Sequence, residues 1–243
     1  MSLSFFRSLV ADASRCYPAG ERFARHFATG KLGHDPVFRH LLERGLIPGG
    51  ARVLDIGCGQ GVLAALLEAA NRRHARGDWP PAWPPPPGPA DFHGIDLKES
   101  DIERARRALG PGARFTCGDV RTTAFGESDA VVILDVLHYV DFAAQEDVLR
   151  RVRLALRPGG VLLLRVGAKS DSLRFRFTVW VDSLSMRLRG HRLAPRWHRS
   201  IPEWNGLLAS LGFAVESTPM SAGTPFENAL LVARIPGSRT ATG

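Results

Sequence analysis

Lysine is scarce in this chain: Lys31, Lys98 and Lys169 are the only three, although lysine and arginine together number 32. The net charge of +8 therefore rests on arginine. A basic balance of this size raises the question of a nucleic-acid partner. Yet arginine in place of lysine, alongside abundant Ala, Gly and Pro, is what a GC-rich genome yields without any binding role. Other anionic partners compatible with the charge are a carrier protein, a small molecule, or a membrane surface touched peripherally. Cysteine is scarce too, and Cys16, Cys58 and Cys117 form no CxxC pair. Disulfide frameworks and zinc sites need closer or more numerous ligands, so neither is expected and no metal site is assigned. No apolar run approaches the roughly 20 residues needed to cross a bilayer. The stretch from Met1 to Arg7 lacks the basic leader, apolar core and cleavage site of a secretory signal. These absences point to a reduced, cytoplasmic setting.

The sequence does have enough apolar matter to fold. Hydrophobic residues make up 44% of 243, which suits one large domain or a domain with a small cap. Residues 1–50 read as an N-terminal helical cap, with Phe5, Phe6, Leu9, Val10 and Ala13 at helical spacing and Glu21 to Ala28 as a second piece. The run from Thr29 to Pro36, punctuated by Gly30 and Gly33, reads as a loop, and a helix resumes from Val37 to Arg44.

From residue 51 the pattern changes. Arg52-Val53-Leu54-Asp55-Ile56 is a short apolar run of the kind buried on both faces of a sheet. A helix over 62–72 follows it, then strands at 92–96, 113–116 and 129–134, helices at 101–109 and 142–156, and a strand at 161–166. Helix 201–211 and strands at 213–216 and 228–235 close the fold. Alternating strands and helices predict an α/β architecture: a doubly wound, mostly parallel seven-stranded sheet. Between the first helix and second strand lies a Trp/Pro-rich insertion, 76–90, whose prolines favour an extended backbone. It reads as a tolerated surface insertion or as a segment that docks on an aromatic groove of a partner. Residues 170–200, aromatic and basic, read as a helical substrate cap inserted after strand five, and 236–243 as a loose tail.

Chemistry gathers at the carboxyl ends of the strands, where ligands of open parallel sheets bind. Asp55 ends the first strand, and Gly57, Gly59 and Gly61 follow at alternate positions around Cys58 and Gln60. Such glycines let backbone approach a ligand closely. The G-x-G-x-G spacing differs from the G-x-G-x-x-G of a pyrophosphate site, which disfavours a nicotinamide oxidoreductase. Asp96 ends the second strand, where one carboxylate suits two ribose hydroxyls. Its distance from Asp55 is about twice the usual ~20 residues, and the Trp/Pro insertion accounts for the excess. Leu97 follows it. Gly118-Asp119-Val120 comes after the third strand, with an acid for an exocyclic amine and an apolar neighbour for a ring. Asp135 to Tyr139 is the exit of the fourth strand, and Leu156-Arg157-Pro158-Gly159-Gly160 is a helix stop before the fifth.

Taken in order, these landmarks closely resemble the class I, seven-stranded S-adenosylmethionine-dependent methyltransferases over about residues 51–166. The resemblance implies S-adenosyl-L-methionine as cofactor. It places Asp55, Gly57, Cys58, Gly59 and Gly61 at the methionine end, Asp96 and Leu97 at the ribose, Asp119 and Val120 at the adenine, and Asp135 beside them. It also implies methyl transfer by in-line displacement, with a positioned acceptor and, for a hydroxyl, a base. His138 is the candidate base because imidazole titrates near neutrality. Aromatic O-methyltransferases carry Leu-His-Asp-Trp in this context. Here Leu137-His138-Tyr139-Val140 keeps only the first two, so positioning of the acceptor is the alternative role.

The acceptor is expected to be a small molecule, aromatic, acyl or polyketide-like, free or bound to a carrier protein, as in secondary metabolism. Tyr17, His138, Tyr139, Arg176 and Trp180 are the candidate substrate contacts, and Tyr17 with the Gly30-Lys31 loop is expected to close over the cofactor. Amino-group methylators of nucleic acids and of protein glutamine typically carry an Asn/Asp-Pro-Pro-aromatic run after strand four, and Asp135-Val136-Leu137-His138 stands here instead. The alternatives are a nucleic-acid methyltransferase and a non-catalytic cofactor-binding partner protein.

Overall fold

A computed structural model describes residues 2–167, 197–221 and 228–236. Residues 170–196 of the substrate-cap segment, with Arg176 and Trp180, lie outside them, as does the tail beyond Pro236. The chain divides into two compact units, 1–132 and 133–243. Seven strands form one sheet in the order β3-β2-β1-β4-β5-β7-β6.

The first unit begins with three helices, α1 (Ser2–Ser14), α2 (Arg22–His34) and α3 (Pro36–Glu43). Then come β1 (Arg52–Ile56), α4 (Val62–Ala75), β2 (Asp91–Asp96), α5 (Glu99–Leu109), β3 (Arg114–Cys117) and most of β4 (Ser128–Leu134). β1 pairs with β2 and β2 with β3, both parallel, as the βαβ reading expects. Val53, Leu54, Asp55 and Ile56 are all buried, which is why the run shows no alternation of polar and apolar residues. Eight residues of α4 are buried, including Leu63, Leu66 and Leu67.

The expected loop at 29–36 is a correction: α2 continues through Gly30 and Gly33 to His34. Ala24, Ala28 and Leu32, spaced four apart, bury one stripe of the helix, and that stripe outweighs the cost of two glycines. Asp35 then accepts from the Val37 amide and Pro36 opens α3.

The Trp/Pro insertion is folded onto this same unit. Trp79 and Trp83 meet each other and the α1 residue Phe5 edge to face, with ring centroids 5.6–5.7 Å apart. The Trp79 indole donates to the Pro84 carbonyl at 2.9 Å, and the Gly50 amide donates to Pro87 at 2.8 Å. Pro84 rests on Gly45, where a Cβ would come within 2.8 Å of its ring. The aromatic groove that receives the insertion belongs to the chain itself.

In the second unit, α6 (Phe142–Ala155) leads into β5 (Leu156–Gly167), followed after the undescribed stretch by α7 (Ile201–Ser210), β6 (Ala214–Pro219) and β7 (Asn228–Arg234). The Leu156-Arg157-Pro158-Gly159-Gly160 turn is already part of β5, its middle three residues exposed. β7 runs antiparallel to both β5 and β6. A connection as short as 220–227 joins antiparallel neighbours, since a parallel return needs a longer crossover. Helix starts are secured locally: Asp141 caps α6, and Ser200 with Glu203 forms a reciprocal box at α7.

Candidate active site

The first unit builds a nucleotide-like cradle beyond β1. Gly57, Gly59 and Gly61 all have positive φ, so the turn takes a backbone path open to glycine. The strand pairing carries on into it, with the Gly57 and Cys58 amides both donating to the Ile95 carbonyl, at 2.7 and 3.1 Å. Gly61 also lacks room: a Cβ there would stand 3.0–3.1 Å from Leu109, Ala105 and Phe115. Close approach of α5 and β3 thus fixes the turn from outside, and α4 starts immediately after it at Val62, where a helix's first turn leaves amides without intrahelical partners.

Two acids meet here. Asp96 accepts the Gly59 amide on Oδ2 and the Lys98 amide on Oδ1, each at 2.9 Å. Burial raises its carboxyl above the usual range, and these two bonds pull against that rise. Each oxygen keeps a lone pair for a further donor. Asp55 is only 4% exposed. Burial, reinforced by the charge of Asp96, pushes its carboxyl up to about 8. A carboxyl so costly to ionise is one that a cationic ligand group would relieve.

The remaining cofactor candidates take different places. Leu97 is 68% exposed immediately beside Asp96, an apolar side chain free to cover a ring. Asp119 accepts from the Arg121 guanidinium on both oxygens and from its amide, and that pairing holds its carboxyl below the ordinary value. Val120 beside it is half-buried. Cys58 turns inward: its thiol occupies the space above Gly94, where a Cβ would come within 2.7 Å of the sulfur. Burial, with Asp55 and Asp96 near, raises that thiol well above its usual range. Cys58 therefore lends the cradle its backbone.

Tyr17 is buried, and its hydroxyl donates to the Gln60 carbonyl at 3.0 Å. The Gln60 side chain in turn donates to Ala24 of α2 at 2.6 Å. The two N-terminal elements thus grip the glycine turn through Gln60, a residue that sequence reasoning passed over. Its one signal is a buried amide in a run otherwise glycine or apolar. The expected Gly30-Lys31 closing loop is instead a turn of α2, with Lys31 paired to Asp35 at 2.7 Å.

The second unit gathers the acceptor candidates. Asp135, at the end of β4, is the one non-glycine residue with positive φ among those described (61°). The Arg165 side chain of β5, 2% exposed, donates from Nε to its Oδ1 at 2.8 Å and meets Oδ2 through Nη2. An Asp carrying such a pair is occupied in holding β5 to the β4 exit. His138 sits in a single 3-10 turn, Leu137–Tyr139, and is 8% exposed, while Tyr139 is 40% exposed. Its imidazole lies against Tyr139 and, nearly parallel, 5.4 Å from that of His198. A small cavity is lined by Leu137, His138, Arg165, Trp197, His198 and Trp204.

Comparison with known proteins follows the same lines. A family described as a methyltransferase domain matches residues 54–162. The carboxy-S-adenosyl-L-methionine synthase of Chromohalobacter salexigens is 32% identical over 120 residues, 47% of this chain and 39% of that protein. The trans-aconitate 2-methyltransferase of Variovorax paradoxus is 34% identical over 130 residues, 53% of this chain and 43% of that protein. Among solved structures, a chain of the complex between the Haloferax volcanii Trm112 methyltransferase activator and a methyltransferase superposes with a TM-score of 0.63. It is 17% identical, and the match covers 86% of this chain and 93% of that one, a likeness of fold. This chain spans less than half the length of the curated relatives it matches.

Proposed function

We propose that this chain, whose residues 54–162 match a methyltransferase domain, is a class I S-adenosylmethionine-dependent methyltransferase that transfers a methyl group to a small-molecule acceptor, aromatic, acyl or polyketide-like. When bound, the cofactor supplies an electrophilic methyl group on a sulfonium. The chain's own residues do the holding. Asp55 receives the ammonium of the amino-acid end, and the first turn of α4 receives its carboxylate. Asp96 spends its remaining lone pairs on the ribose hydroxyls. Leu97 and Val120 cover the adenine, with Asp119 accepting from its amine.

The observation that carries this reading is the Asp55 carboxyl, buried at a glycine turn and raised to about 8. A buried acid without compensation is an expense that packing alone does not explain. A zwitterionic ligand removes it. In-line attack also needs an acceptor held near its mark and, for a hydroxyl, a proton acceptor. His138 is the group for that role, with Tyr139, Phe142, Trp197 and Trp204 supplying aromatic walls nearby. These walls support an aromatic or acyl substrate better than a strongly hydrated one.

Equilibrium binding of S-adenosylmethionine and S-adenosylhomocysteine, measured by calorimetry, tests the cofactor half. Absence of binding to either refutes the reading. Mass analysis of small-molecule extracts incubated with labelled cofactor tests the transfer half. Tight cofactor binding with no labelled product would favour a non-catalytic partner protein instead.

A further inference from the structure

The segment 197–200 returns beside the β4 exit and is bolted to it by more bonds than a passing connection needs. The Trp197 amide donates to the His138 carbonyl at 3.1 Å. Gln145 of α6, completely buried, shares its amide hydrogens among the carbonyls of Leu137, Val140 and Trp197 at 2.9–3.1 Å. Its own oxygen accepts from Arg199 at 2.9 Å. Arg199 then pairs with Glu146 at 2.8 Å and lies over the Phe142 ring at 4.7 Å. A network centred on a buried amide fixes geometry rather than adding much net stability. What it fixes is the approach of two imidazoles from distant parts of the sequence, 5.4 Å apart and inclined by 13°.

We propose that His198 is a second catalytic histidine, which with His138 receives the proton of a hydroxyl acceptor, and that Gln145 is the residue positioning the pair. The inference rests on the methyl-transfer reading. In the step, the acceptor oxygen attacks the methyl carbon as its O–H bond breaks. The proton passes to an imidazole nitrogen of the pair, and the C–S electron pair returns to sulfur, leaving a neutral thioether. The imidazolium then returns its proton to solvent. Once one of two imidazoles at this spacing carries a proton, the other resists a second, since like charges repel. Among the described residues, Tyr139 lies against His138, the Asp135-paired Arg165 lines the same cavity, and Arg199 follows His198 in the chain. Arg165 is neutralised by its carboxylate, so it leaves the proton to the histidines.

The test uses 4-nitrophenol, whose phenolate is coloured. With S-adenosylhomocysteine present, the apparent pKa of the bound phenol is read by absorbance across pH 5–9. In the wild type the phenolate form is expected to dominate at a pH below that of the free phenol. His198→Gln and His198→Phe should both shift that point back toward the free value. Phe keeps the ring stack, so a Phe variant that behaves as wild type assigns His198 a packing role and overturns the proposal. So does failure of the phenol to bind. Both variants should leave S-adenosylhomocysteine affinity within about twofold and, where 4-nitrophenol is methylated, lower kcat about tenfold or more. Methylation that fails while the His198-dependent shift remains counts against the methyl-transfer reading and not against the pair.

Discussion

Cofactor affinity should depend on pH through Asp55. Its carboxyl is raised to about 8, so near neutrality it is mostly protonated in the ligand-free protein. A ligand ammonium binds the ionised form, and the proton must leave first. For such linkage the apparent Kd rises by a factor of one plus ten to the power of pKa minus pH. Relative to the fully ionised protein, the loss is about tenfold at pH 7 and about a hundredfold at pH 6. Calorimetry of S-adenosylhomocysteine between pH 6 and 7.5, where the ligand amine stays protonated, reads this slope directly. Repeating it in buffers of different ionisation heat should show nearly one proton released at pH 7. Asp55→Asn keeps the shape and removes the charge, so its affinity should be weaker and flat over the same range. A wild-type profile as flat as that of Asp55→Asn would refute the reasoning. The same shift acts on stability without ligand. The folded state binds this proton more tightly than the unfolded chain, so stability conferred at low pH is lost as pH rises from about 4 to about 8. The melting temperature should fall across that window, and less so in Asp55→Asn.

Three further outcomes follow from packing, each readable by denaturant unfolding. Gly61→Ala combines positive φ with three contacts at 3.0–3.1 Å and should cost about 1–3 kcal/mol while weakening cofactor binding. Gly94→Ala, at a position where a Cβ would meet Cys58 and Phe115 at 2.7 Å, should cost a similar ~1–3 kcal/mol through overpacking alone. Trp83→Ala should cost about 3 kcal/mol or more, because the ring is 8% exposed and wedged against Phe5 and Trp79. A loss under ~0.5 kcal/mol would show that the insertion merely rests on the surface.

The parallel pairing of β1 with β2 was legible because β1 is an apolar run bounded by glycine, as Val53-Leu54-Asp55-Ile56 before Gly57 shows. The cradle was legible for a related reason: its acids and glycines sit where the strands end. Residues 29–36 misled because two glycines were weighed above the four-residue spacing of Ala24, Ala28 and Leu32. The antiparallel closure depended on the length of a connection, which periodicity does not report. Gln145 and His198 left no local trace, since each acts through a partner distant in sequence. The Trp/Pro insertion held a clue in plain view: tryptophans in a proline run seek burial, and here they found it on Phe5.

That insertion also gives the protein an optical gauge. Two of its five tryptophans, Trp79 and Trp83, lean on a ring carried by the first helix, and His74 lies edge-on to Trp79. Their emission colour and quenching therefore report whether that helix is seated. Through Tyr17 and Gln60 the same N-terminal region grips the glycine turn. Undocking of the first helix should redden the fluorescence as the indoles meet water, so a spectrometer can follow, in real time and without a label, the support on which the cradle depends.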